Sequence, residues 1–264
     1  METYRQLASL SYLTVLLGGL VWGAREAALR PESLLLLRYP RHRNLWLFAA
    51  SLIAISAAFA AAAIATGYKA ERFWAFVMSS IMGLLAAAAC APGVARLEDS
   101  VPRQPINYRI FAAVAVVVIA WSFTSMELMQ WLMGLVAGHA VEVKALDDGI
   151  GPLFDNAPPL ALLSLAALVL VGAIQEEVLF RGALQSNLAT TPLGPQGAVV
   201  VASLLWALAH GSSYIDPPGL KETQIFGLGL LFGTMRERYG LKASVALHIL
   251  NNGLVMVLFP FMPK

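Results

Sequence analysis

The chain has 264 residues, 58% hydrophobic and only 13% charged, with a formal net charge of +2. A soluble domain carries about 25% charged residues, so this composition excludes an ordinary soluble globule and points to a membrane protein. The small net charge offers no basic surface for nucleic acid, and the single cysteine, Cys90, excludes an internal disulfide and a cysteine-rich metal site.

In chain order, the apolar stretches predict eight membrane segments, at about 7–24, 45–67, 73–95, 109–136, 158–188, 197–211, 220–235 and 242–260. The runs 6–24, 44–68, 73–95 and 243–263 contain no Asp, Glu, Lys or Arg. Each is long enough for the roughly 20 residues that a spanning helix needs. The predicted fold is an all-α, polytopic membrane helix bundle of about eight transmembrane helices. The first segment is read as an anchor, because Glu2 accompanies Arg5 and no A-x-A cleavage signal follows. Gly19-x-x-x-Gly23 in the first segment and Gly229-x-x-x-Gly233 in the seventh permit close helix approach. Trp22, Trp46 and Trp74 lie near segment ends, where interfacial anchoring is expected. Cys90 is expected to fill the core. His42 and His139 fall in predicted loops, and Glu127 in the fourth segment is expected at a helix interface or the outer surface. Pro158-Pro159 opens the fifth segment, as proline does in a first helical turn. Pro192, Gly194, Pro195 and Gly197 break the chain before the sixth, and Asp216-Pro217-Pro218-Gly219 makes a turn before the seventh.

Lysine and arginine set the orientation. Arg25, Arg30, Arg38, Arg41 and Arg43 follow the first segment, and Arg96, Arg103 and Arg109 follow the third. Arg181 lies near the end of the fifth, and Arg236, Arg238 and Lys242 follow the seventh. The other side has fewer cations and an acidic loop with Glu142, Asp147, Asp148 and Asp155. Both termini are therefore expected outside and the odd-numbered loops in the cytoplasm. If the seventh segment does not span, the C-terminal part inverts.

Against this apolar background three polar sets stand out. Glu176 and Glu177 sit together in the fifth segment, with Arg181 four residues after the second. A carboxylate in lipid is costly unless it has a partner or a task. On a helix, Glu177 and Arg181 share a face, whereas Glu176 is turned about 100° away. The spacing assigns unequal roles: Glu177 held by Arg181, Glu176 free to act. The sixth segment carries Trp206-x-x-x-His210, and the eighth carries His248-x-x-x-Asn252, with Asn251 turned aside. Measured from the expected cytoplasmic ends at 1.5 Å per residue, Glu176 lies roughly 18 Å deep, His210 about 20 Å, and His248 to Asn252 about 10–17 Å. Each set also has a plainer reading: a buried charge network, a hydrogen-bonded core histidine, and an interhelical pair.

Glu-Glu-x-x-x-Arg, aromatic-x-x-x-His and His-x-x-x-Asn, in this order, resemble the CPBP family of intramembrane proteases. That family includes CAAX prenyl endopeptidases of the Rce1 type and the bacterial Abi proteins. The resemblance covers about residues 158–255, and the stretch 227–253 is also similar to bacterial members. Trp206 stands where phenylalanine is common. The implied organisation is N-terminal membrane helices of unassigned role at 1–157, a protease core at 158–255 and a tail at 256–264. The resemblance implies an intramembrane endopeptidase acting on a membrane-associated, lipidated or CAAX-like substrate. Glu176 would be the general base, with His210 holding the same water. His248 and Asn252 would bind the oxyanion, while Glu177, Arg181 and Trp206 give support. No cofactor is favoured, since His-Glu-x-x-His is missing and asparagine is a poor zinc ligand; zinc held by Glu176, His210 and His248 is the alternative. The expected partners are membrane lipid and a membrane-associated peptide or protein substrate, without nucleic acid. The expected location is the bacterial cytoplasmic membrane. A non-catalytic immunity or scaffold protein of the same fold remains the competing reading. A transporter or proton-coupled channel is a third, although no internal hydropathy symmetry supports it.

Overall fold

A computed structural model describes residues 2–36, 40–65, 71–141, 144–145, 158–210, 215–216 and 219–258. The elements are α1 (Glu2–Leu29), α2 (Ser33–Leu36), α3 (Pro40–Ala65), α4 (Glu71–Ser100), α5 (Tyr108–Ala137), β1 (Lys144–Ala145) and α6 (Pro159–Glu176). A π-helical segment (Glu177–Gln185) follows without a break, then α7 (Ser186–Ala189), α8 (Gly194–Ala209), β2 (Ile215–Asp216), α9 (Leu220–Tyr239) and α10 (Leu241–Leu258). The protein is an all-α polytopic bundle, as its hydropathy predicts. Each predicted segment falls on a helix. Among the described residues, 5 helical stretches are long and apolar enough to cross a membrane: Trp46–Ala65, Val77–Ser100, Tyr108–Ala137, Pro159–Ala189 and Leu241–Leu258. α8 is apolar but has 16 residues. α1 spans 28 residues and contains the charge-free run 6–24. α9 has the length, at 20 residues, but charged side chains at both its ends dilute the apolar run.

Local chemistry sets most boundaries. The Asn107 side chain accepts bonds from the Arg109 and Ile110 amides and starts α5, and Gly138 ends it at a φ of 72°. Pro159 occupies the first turn of α6. α4 runs to Ser100, past its apolar run, with Pro92 inside it. The extension is possible because its charges have partners: Arg96 pairs with Glu26 at 2.9 Å, and Glu98 with Arg236 at 2.8 Å. His42 lies within α3 rather than in the loop expected for it.

Small residues let the helices approach. A Cβ at Gly23 would stand 2.2 Å from the Ala89 carbonyl oxygen, so α1 and α4 touch backbone to backbone there. Cys90 is fully buried in the same seam, and its thiol donates to the Gly19 carbonyl at 3.1 Å. Gly229 meets Ser203 across the α8–α9 seam, where a Cβ would lie 2.8 Å from Cβ of Ser203. Between α3 and α6, the Ser56 and Ser164 hydroxyls each donate to the other's carbonyl, at 2.9 and 2.8 Å. Trp22 covers Gly93 and Trp46 packs against the core, so both contribute to helix packing. The side chain of Trp74 lies outside the described residues.

The bundle has two chemically distinct ends. At one, Arg236 joins Glu98 and Glu237 and donates to Ser186, while the Leu241 amide donates to Glu98 at 2.8 Å. The Gln104 amide donates to the Arg238 carbonyl at 3.2 Å at this same end. These contacts gather the chain at the ends of the third, fifth and seventh segments, and the Arg96–Glu26 pair adds the end of the first. At the other end β1 and β2 pair antiparallel, with Lys144 opposite Asp216. That is the alternation of a chain in which α9 runs from one end to the other.

Candidate active site

The site is built where α6 changes into the π-helical segment. Glu176 is the last residue of α6, and Glu177 opens the wider turn. Such turns use i→i+5 bonds and recur at functional sites. The sequence pattern implied an unbroken α-helix through both glutamates. The inserted residue has no hydropathy signature, and tertiary packing decides it. The widened stretch is held by burial: Val178, Leu179, Phe180 and Arg181 are all enclosed. Gly182 lets it rest on Val94, where a Cβ would lie 2.7 Å from a Val94 methyl.

The two carboxylates have different surroundings. Glu177 and Arg181 are both fully buried, and Nη1 of Arg181 stands 3.3 Å from Oε1 of Glu177. The Ser244 hydroxyl donates to the other oxygen of Glu177, and Nδ1 of His248 lies 3.0 Å from Oε1. The Arg181 guanidinium sits 4.2 Å above the Trp206 ring, a cation–π contact in a dry setting. Glu176 is 19% exposed, and among the described residues no lysine or arginine pairs with it. The Trp206 indole donates to its Oε2 at 2.8 Å. Nε2 of His210 stands 3.8 Å from that oxygen and Nε2 of His248 stands 4.0 Å from it.

Each imidazole is oriented by its other nitrogen. Nδ1 of His210 lies 2.9 Å from the Trp206 carbonyl, an acceptor, so Nδ1 carries the hydrogen. Nδ1 of His248 donates to the Glu177 carboxylate for the same reason. Both Nε2 atoms therefore face Glu176. Phe232 of α9 stacks on His248 at 4.8 Å between centroids, and Trp206 meets both imidazoles edge-on. Trp206 thus packs against His210, binds Glu176 and covers Arg181 at once.

The sequence pattern brought Glu176, Glu177, Arg181, Trp206, His210 and His248 forward, and all six meet here. Asn252 lies one turn beyond His248, half-buried, and its Oδ1 accepts from Asn251 at 3.3 Å. Among the described residues no hydrogen bond joins it to Glu176, His210 or His248. Ser244 and Phe232 were not singled out in the sequence. Ser244 could have been found, since Ser244, His248 and Asn252 recur every four residues on one face. Phe232 is one apolar residue among many and gives no signal. Glu127 is exposed and, with His139, lines an open depression of about 570 Å³ at the end of α5 that contains none of the six.

Zinc would draw its ligands to about 3.3 Å from one another, given bonds of 2.0–2.1 Å in tetrahedral geometry. Nε2 of His210 and Nε2 of His248 stand farther than that from Oε2 of Glu176, at 3.8 and 4.0 Å, and this oxygen already accepts from Trp206. Among the described residues no group of three His, Cys, Asp or Glu side chains could hold a metal ion. As they stand, the residues do not fit a zinc site.

Fold and site together define a polytopic membrane protein with a carboxylate–imidazole centre enclosed by helices. Residues 158–254 match the Rce1-like family model, described as type II CAAX prenyl endopeptidase Rce1-like. The match supports a CPBP, Rce1-type protease, in general terms a CAAX-type intramembrane endopeptidase, as the motifs implied. It spans all seven residues that carried the resemblance, from Glu176 to Asn252. No curated protein and no solved structure matches the chain.

Proposed function

We propose that this protein hydrolyses a peptide bond of a membrane-associated, lipidated or CAAX-like substrate with a water activated by Glu176, without a metal. One observation carries the proposal: Oε2 of Glu176 faces Nε2 of both His210 and His248, at 3.8 and 4.0 Å. These gaps are too wide for direct hydrogen bonds but suit one shared water at about 2.8 Å from each atom. Glu176 takes the water's proton while the water oxygen bonds to the scissile carbonyl carbon. The Trp206 indole keeps the carboxylate aimed. As the carbon–nitrogen bond breaks, that proton moves from Glu176 through Nε2 of His210 to the leaving amine, which restores both side chains.

The oxyanion needs donors. His248 is the first donor, through Nε2 in the form that carries a proton there. Asn252 Nδ2 is the second donor. Glu177, fixed by Arg181 and Ser244, holds His248 in register. The proposed setting is a bacterial cytoplasmic membrane, with residues 158–255 as the protease core.

The test is cleavage of a panel of lipidated and transmembrane peptides by purified protein, read by mass spectrometry with and without chelator. Glu176→Gln is expected to lose about 10²–10⁴-fold in rate, the usual worth of a general base. Full cleavage by Glu176→Gln would refute the assignment, and loss of wild-type cleavage with chelator would refute the metal-free mechanism.

A further inference from the structure

The role of α5 emerges from a chain of polar contacts that ends at Asn252. Lys221 of α9 donates to Oε1 of Gln224 at 2.6 Å, which leaves the Gln224 amide nitrogen to donate to the Ser122 carbonyl of α5 at 2.7 Å. The neighbouring Trp121 donates back to the Gln224 carbonyl at 2.9 Å, with its ring laid against Gly227. A Cβ at Gly227 would stand 2.5 Å from that ring, so α5 and α9 are locked at this level. Ser122 is thereby held with its hydroxyl donating to Oδ1 of Asn251 at 2.6 Å. Asn251 is 6% exposed, and its Nδ2 donates to Oδ1 of Asn252 at 3.3 Å.

A carboxamide presents an acceptor and a donor that are nearly the same shape. Rotation by half a turn exchanges them at small steric cost. An asparagine serving an oxyanion must offer nitrogen, because its oxygen would repel the developing charge. Here the oxygen of Asn252 is occupied by Asn251, whose own oxygen is occupied by Ser122. The direction of each bond fixes the next, and among the described residues no acceptor is bonded to the Asn252 amide nitrogen.

We propose that Ser122 and Asn251 are positioning residues that set the Asn252 carboxamide with Nδ2 towards the reacting carbonyl. This rests on the reading of Asn252 as an oxyanion donor. It gives α5, outside the protease core, a direct part in the reaction.

The first measurement needs no substrate. The full chain in detergent micelles, made with isotope-labelled asparagine, gives side-chain amide signals; the Asn252 pair is identified by its loss in Asn252→Ala. Ser122→Ala and Asn251→Ala are expected to move the Asn252 pair, and Ser122→Thr, which keeps the hydroxyl, to restore it. An Asn252 pair unmoved by Ser122→Ala would overturn the inference. The second measurement uses a lipidated CAAX-type peptide that the wild type cleaves. Ser122→Ala is expected to lower kcat about tenfold at unchanged KM, as a misaimed group does, and to have no further effect on an Asn252→Ala background. Equal losses in both backgrounds would assign Ser122 a merely structural role and overturn the inference. If Asn252→Ala itself keeps full kcat while Ser122→Ala still moves the amide pair, the positioning stands and the oxyanion reading falls.

Discussion

Glu176 and Glu177 are chemically identical neighbours with opposite circumstances. Glu177 has no exposure and is bound by a cation, a hydroxyl and an imidazole. Glu176 has one indole bond and faces two ring nitrogens. A buried charge that loses its partner costs about 3–5 kcal/mol, so Arg181→Leu should lower the thermal midpoint in detergent by that equivalent. Glu177→Gln on the same background should recover part of the loss, since the unpaired charge is gone. An Arg181→Leu protein as stable as wild type would show that the ion pair does not hold Glu177. The pairing of Glu177 with Arg181 was legible from their spacing. The Ser244 bond and the Phe232 stack were not, because neither is visible until α9 and α10 are set beside α6.

At the scale of elements, the helices were legible because hydropathy is a local property. Their close seams were partly legible, since both Gly-x-x-x-Gly patterns lie at contacts. In the α1–α4 seam, Gly23→Ala would drive a Cβ into the Ala89 backbone, which cannot swing aside as a side chain does. The expected cost is about 1–3 kcal/mol, read as a lower thermal midpoint. Gly18 has nothing within 4 Å of a built Cβ, so Gly18→Ala is the control and should be neutral or slightly stabilising. Equal effects at the two positions would mean that the seam is not packed this way. The π-helical turn at Glu177–Gln185 was not legible. A widened turn and a regular one share the same apolar composition.

For the whole molecule, the two polar ends define the sides. The network of Glu98, Arg236 and Arg238 and the β1–β2 pair lie at opposite ends of the bundle. Cationic loops favour the cytoplasm, so Gln104 should face it and Lys144 the exterior. In a Cys90→Ala background, a membrane-impermeant thiol reagent applied to intact cells should label Lys144→Cys and spare Gln104→Cys. The reverse pattern would invert the orientation. Both positions labelled, or neither, would mean that the bundle does not present its ends to opposite sides.

The sequence by itself determined the membrane class, the helical segments and the identities of the polar residues, because composition and spacing along one helix need no partner. The tertiary structure decided which carboxylate is sealed and which is open. It also decided that Asn251 stands between Ser122 and Asn252. Those facts depend on residues far apart in the chain: His248 and Glu177 are separated by 71 positions, and Ser122 and Asn251 by 129. A one-dimensional pattern carries depth and face within a helix; only packing fixes which faces meet.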